Sequence, residues 1–182
     1  MAHTFSTNHI EDSLSLFRYY KKLAEGAMEQ VSDDQLTAVL DPEMNSISLI
    51  VKHMSGNMRS RWSDFLTSDG EKPSRNRDDE FMAPASTRAE LMKMWDDGWK
   101  CLFGALEPLA ESDLGRTVTI RGEPHSVLQA INRQIAHYSY HCGQIVFLAK
   151  HLGSESWKSL SIPRSASAAF NQAVAAGEKS QR

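Results

Sequence analysis

Between Val127 and Leu148 apolar residues recur at helical spacing, through Leu128, Ile131, Ile135 and Ile145, and two histidines, His137 and His141, fall within the same stripe. A stripe this long predicts a helix that must bury one face, and the four-residue step stacks the two imidazoles one turn apart on it. Such a face is best covered by other helices with matching stripes, and the chain has three more. The first opens at Asn8, with Glu11 as capping-box partner, and repeats at Ile10, Leu14, Phe17, Ala24 and Met28. The second opens near Asn45 or Ser46 and runs through Ile47, Ile50, Val51, Met54, Met58, Trp62 and Phe65 to a turn at Asp69-Gly70. The third begins at Thr87, with Glu90 as capping partner, and buries Leu91, Met94, Trp95, Leu102, Ala105 and Leu109. Ser126 and Gln129 open the fourth, and Gly153 is placed to stop it. Thr117–Ile120 alternates and Gly122 supplies a turn, so a short hairpin is expected between helices three and four. Together these predict an all-α four-helix bundle.

At 182 residues the chain fits one domain, 1–182. In the tail, 154–182, Trp157 to Pro163 is expected to pack on the bundle or on a partner subunit, with the residues from Gly177 onward frayed. Ser32–Gln35 is a polar connection. Thr67–Ala85 shows no period, and Phe81 and Met82 are expected to pin its far end to the core. A net charge of −3 gives no field for nucleic acid or anionic lipid, and no apolar run is long enough for a membrane span. The first residues lack the pattern of a signal peptide, and Cys101 and Cys142 make no secreted disulfide framework. A soluble, cytoplasmic protein is expected.

His53 lies beside Ile50 and Met54 on the inner face of the second helix, so three imidazoles from two helices converge on the interior. Three histidines can hold a metal ion and leave a position open for substrate. Tyr138 stands where a zinc protease would place its glutamate, so peptide hydrolysis by that route is not expected. No carboxylate is expected on the inner face near the pair, which argues against a di-iron centre and favours a divalent ion such as zinc or nickel. Asn57 and Gln144 are candidates for orienting the imidazoles, and Arg61 and Tyr140 for touching substrate. Arg59, Arg61, Arg75 and Arg77, with Asp64, Asp69, Asp78, Asp79 and Glu80 nearby, otherwise read as a mutually neutralised surface. No residue is assigned a catalytic role.

His53 within Leu-Ile-Val-Lys-His-Met, followed by His137-x-x-x-His141-x-Gly-Gln144-Ile, resembles the DinB superfamily over roughly residues 8–155. The segments from Gly56 to Trp62, Asp69 to Pro73 and Trp157 to Pro163 resemble a narrower branch of it. The resemblance implies metal ligation by His53, His137 and His141, an up-down-down-up bundle and a homodimer. It also implies thiol-dependent transfer with a low-molecular-weight thiol as cosubstrate. An open metal position lowers the pKa of a bound water or thiol alike, so the ligand set alone leaves three functions open. These are an S-transferase activating a small thiol, a metal-dependent hydrolase, and a non-catalytic metal-stabilised dimer serving as scaffold or stress-related sensor.

Overall fold

The computed structural model describes residues 8–85 and 87–180. The span 1–182 expected for the domain also includes residues 1–7, 86, 181 and 182, which lie outside the described residues. Among the described residues the chain is mostly helical, with a small two-stranded sheet. In chain order the elements are α1 (His9–Met28), α2 (Asp33–Thr37), α3 (Ile47–Trp62), α4 (Arg88–Leu106), β1 (Thr117–Ile120), β2 (Glu123–Ser126), α5 (Val127–Gly153) and α6 (Ser167–Ala175).

The caps explain most helix starts. Ser46, Thr87 and Ser126 are extended residues whose hydroxyls accept from the backbone N–H of Leu49, Glu90 and Gln129, so each satisfies a donor the helix leaves unpaired. Asn8 departs from its expected role: its backbone is not extended, its side chain caps nothing, and its amide donates to Asp12 instead. The polar stretch Ser32–Gln35 is itself a capping box opening the single turn of α2. The second long helix ends at Trp62 rather than at Asp69-Gly70. Ser63 turns extended, Asp64 takes a φ of 48°, and its carbonyl accepts from Thr67 and Ser68 in a local turn. Phe65 therefore lies outside the helix, yet stays buried with its ring 4.7 Å from that of Trp62. The expected hairpin forms, and its two-residue turn places Arg121 and Gly122 both at positive φ, as a twisted antiparallel pair requires. Gly153 is the last helical residue, and the left-handed position after it falls on Ser154.

Side-chain contacts give each helix pair a direction. Ser48, Ser55 and Ser63 of the second long segment meet Ala85, Met94 and Cys101 in that order, so α3 and α4 run parallel. Gly98 allows their close approach, because a Cβ there would stand 3.1 Å from the Ser55 backbone. Phe17 lies by Tyr138 and Gln30 by Gly153, so α1 and α5 also run parallel. His53 lies by His141 and Asn57 by Tyr138, which sets α3 antiparallel to α5. Arg18 pairs with Glu107, Glu25 accepts from Trp95, and Met28 accepts from Arg88, which sets α1 antiparallel to α4.

Each long helix gives one ring to the centre: Phe17, Trp62, Trp99 and Tyr138, with centroids 5.9–6.4 Å apart in mostly edge-on pairs. Such pairs contribute about 0.5–1.5 kcal/mol each beyond their buried area. In the tail, Trp157 and Leu160 are half-buried against the core, Leu160 facing Gly26, while Ile162 stays partly exposed. The short helix α6, which the serine- and alanine-rich tail did not announce, buries none of its residues. No helix among the described residues is long and apolar enough to cross a membrane.

Candidate metal centre

Tyr138 locks α3 to α5 at the level of the histidines. Trp62 Nε1–H donates to the Tyr138 hydroxyl at 3.1 Å, and that hydroxyl donates to Asn57 Oδ1 at 2.9 Å. All three residues are buried, and burial pushes the Tyr138 phenol well above its ordinary range, so it remains a neutral donor. Asn57 is thus bonded to Tyr138, and lines the same cavity as His53 and His137.

With the two helices so fixed, His53 of α3 and His137 and His141 of α5 meet. Their donor atoms lie within 4.8 Å of one another. His137 Nε2 stands 3.0 Å from His141 Nε2 and 3.4 Å from His53 Nε2. Nitrogens sharing a tetrahedral zinc ion would stand about 3.3 Å apart, so the spacing suits a shared cation. Each opposite nitrogen meets an acceptor: His53 Nδ1 faces Glu80 Oε2 at 2.8 Å, His137 Nδ1 faces Gln134 Oε1 at 3.3 Å, and His141 Nδ1 faces Gln144 Oε1 at 2.7 Å. These acceptors hold the protons on Nδ1, which turns three Nε2 lone pairs toward one point. Burial, then the neighbouring His141 and His53, push His137 down to about 3, and burial also lowers His141. Both are therefore neutral near pH 7, as metal ligands must be.

Glu80 overturns the expectation that no carboxylate stands near the pair. It is buried, and besides His53 it takes a two-pronged grip from Arg75, Nε at 2.8 Å and Nη2 at 2.9 Å. Burial opposes its ionisation, yet the bonds from His53 and Arg75 and the charge of Arg75 hold it below the usual carboxylate range. Glu80 sits on Gly56, where a Cβ would stand 2.7 Å from its Cδ. Phe81 stacks on His53 with centroids 4.8 Å apart, whereas Met82 is exposed and pins nothing.

The arginines do not form a uniformly solvated surface. Arg59 and Arg77 are exposed, but Arg61 and the side chain of Arg75 are buried, where Glu71 and Glu80 supply partners. Arg61 Nη1 donates to Gly70 O and to Glu71, and Arg61 lines the cavity next to His53 and His137. The loop carrying Glu71 is tied to the hairpin by Asp69, which accepts from the N–H groups of Arg121 and Gly122. Tyr140 is exposed on the flank, where its hydroxyl accepts from Gln144 at 3.1 Å and its ring meets His141 edge-on. Cys142 is buried, its thiol pushed up to about 12 by burial, so it is an inert part of the core.

Residues 4–166 match the model of a DinB-like family described as "Protein of unknown function (DUF1572)", and since the match spans most of the chain, the protein belongs to that family. No curated protein and no solved structure matches the chain.

Proposed function

We propose that this member of the DUF1572 family is a DinB-superfamily protein that binds one divalent cation, zinc or nickel, through His53, His137 and His141. We further propose that it uses that centre as a cytoplasmic S-transferase joining a small thiol to an electrophile. The observation that carries the reading is the orientation of the three imidazoles, each with Nδ1 engaged by an acceptor and Nε2 turned to a common point. The pairing of α1 with α5 and α3 with α4, parallel within pairs and antiparallel between them, supports a four-helix bundle of up-down-down-up topology.

When bound, the cation supplies the Lewis acidity that lowers the pKa of a thiol or water. The protein's own groups favour the thiol. Hydrolysis is served by a free carboxylate base, and Glu80 is engaged on both oxygens by His53 and Arg75. The remaining lining of the cavity holds arginines, amides and imidazoles but no carboxylate. Gln144 and Gln134 orient two of the imidazoles and Glu80 the third. Tyr140, bonded to Gln144 and exposed beside His141, is the candidate substrate contact on that flank. The exposed rings of Tyr140 and Phe147, two turns apart on α5, support a homodimer formed across that face.

The test begins with metal content of the protein purified without an affinity tag. One cation per chain in the wild type and none in His141→Ala is expected, and equal metal in both removes the basis of the reading. Thiol conjugation to a chromogenic electrophile should then fall on chelation and in His137→Ala. Bound metal, a large loss of thermal stability on chelation and no turnover with any thiol would instead identify a non-catalytic scaffold or sensor.

A further inference from the structure

The cavity of about 340 Å³ beside His53 and His137 carries a second constellation that cation binding does not use. Five arginines line it: Arg61, Arg75, Arg77, Arg121 and Arg133. Their charges can be followed one by one. Glu80 neutralises Arg75, while Glu71 is shared among Arg61, Arg75 and Arg121. Two carboxylates therefore engage three of the five guanidinium groups. Arg77 lies over the Phe81 ring at 5.1 Å and Arg133 is exposed, and neither forms an ion pair with an acidic group among the described residues. Arg133 stands one turn before His137 on α5, so it projects on the histidine side of the helix. Deeper in, Arg61 is buried and its Nε has no hydrogen-bond partner.

Surplus positive charge on a convex surface is screened by water and salt. In a concave site with low-dielectric walls it focuses a field on whatever enters. The volume lies at the small end of the range for small-molecule sites, about 300–1,000 Å³. Guanidinium forks match planar or tetrahedral oxyanions, donating two parallel N–H bonds to each. We propose that this cavity is a subsite for a small-molecule substrate bearing at least one oxyanion group, a carboxylate or a phosphate. Arg77, Arg121 and Arg133 grip that group and place the rest of the molecule against the histidine centre. The inference rests on the proposed metal centre for what happens next to the anion, but not for the grip itself.

The experiment is isothermal titration of the full-length, metal-loaded protein with succinate and, separately, with inorganic phosphate, at low and at high ionic strength. Saturable binding of at least one of them, weakened by salt, is expected. Arg77→Gln and Arg133→Gln, both at exposed positions without ion pairs, should each weaken it about tenfold or more while leaving metal content as in the wild type. Binding should persist in the metal-free His141→Ala protein. The tighter of the two probes identifies the oxyanion. No binding of either probe, or binding indifferent to both arginine substitutions, overturns the subsite. Binding that disappears with the metal and ignores the arginines does so too, because the anion is then only a metal ligand. Metal absent from the wild type with the arginine dependence intact would overturn the metal centre and leave the subsite standing.

Discussion

Replacing Gly56 by alanine sets two effects of known size against each other. In an exposed helix interior the substitution is favourable, since glycine costs about 1 kcal/mol relative to alanine. At this position a Cβ would overlap Glu80 Oε1 and stand 2.7 Å from its Cδ. A free glutamate would swing aside at little cost, but this one is 5% exposed and bonded to His53 and twice to Arg75. Moving the carboxylate breaks charge-assisted hydrogen bonds of about 1.5–3 kcal/mol each. It also leaves Arg75, whose side chain is 4% exposed, with only the longer contact to Glu71 at 3.4 Å, and losing one partner of a buried pair costs up to about 3–5 kcal/mol. The loss exceeds the helix gain, so Gly56→Ala should destabilise the fold by about 2–4 kcal/mol. Urea denaturation of the four proteins of a double-mutant cycle with Glu80→Ala measures it. In the Glu80→Ala background the clash is gone, and Gly56→Ala should then be neutral or mildly stabilising. Because His53 loses its acceptor, metal affinity measured by chelator competition should fall about 10–100-fold in Gly56→Ala alone. A stabilisation of about 1 kcal/mol in the wild-type background, with metal affinity unchanged, would refute the placement of Glu80.

Removing the Tyr138 hydroxyl in Tyr138→Phe leaves a buried Trp62 N–H and a buried Asn57 carbonyl without their partner, so equilibrium unfolding should show a loss of about 2–4 kcal/mol with little change in volume. With metal removed by chelation, stability should fall as the pH drops below 6.5: the His137 value in the fold, about 3, lies below its unfolded 6.5, so the unfolded chain takes up the proton first. That slope should shrink in His137→Gln from pH 6.5 down to about 3, while below 4.5 Glu80 and Glu71, both held low in the fold, add the same loss to both proteins. Cys142 should stay unmodified by a disulfide-exchange reagent in the native protein and react only after denaturation, as mass spectrometry of the labelled peptide would show.

Periodicity carried the four long helices because each buries a continuous stripe, and a stripe is a local property of sequence. The ends were less legible: the stop after Trp62 depends on Asp64 adopting a left-handed backbone, which nothing before it requires. His53, His137 and His141 could be brought together from spacing, since all three lie on regular helices whose inward faces were known. Glu80 could not. It comes from a segment without period, inside a run of mixed charge whose ordinary fate is solvation, and its burial depends on Arg75 and His53 waiting there. One trace of it was present in the chain: Gly56 in the middle of a buried helix face, a costly residue that commonly marks a close approach. Arg61 and Arg75 looked like surface charge for the same reason, since their partners lie across a loop and not at helical spacing.

The parallel course of α3 and α4 has a consequence for how such a centre can change. Two parallel helices cannot be joined by a tight turn, so the chain must travel back along their length before the second can start, and residues 63–85 carry it along that return. The route passes the open side of the histidines and leaves Glu71, Arg75, Arg77 and Glu80 along it. The helices therefore set where the three nitrogens meet, while the crossing strap braces His53 through Glu80 and supplies part of the charge and shape around the centre. Substitutions at the exposed positions of that strap, such as Arg77, can alter which molecule is admitted without disturbing the core, whereas Arg75, Glu80 and Phe81 are tied to it. A chain built this way can change what it admits while its three histidines stand still.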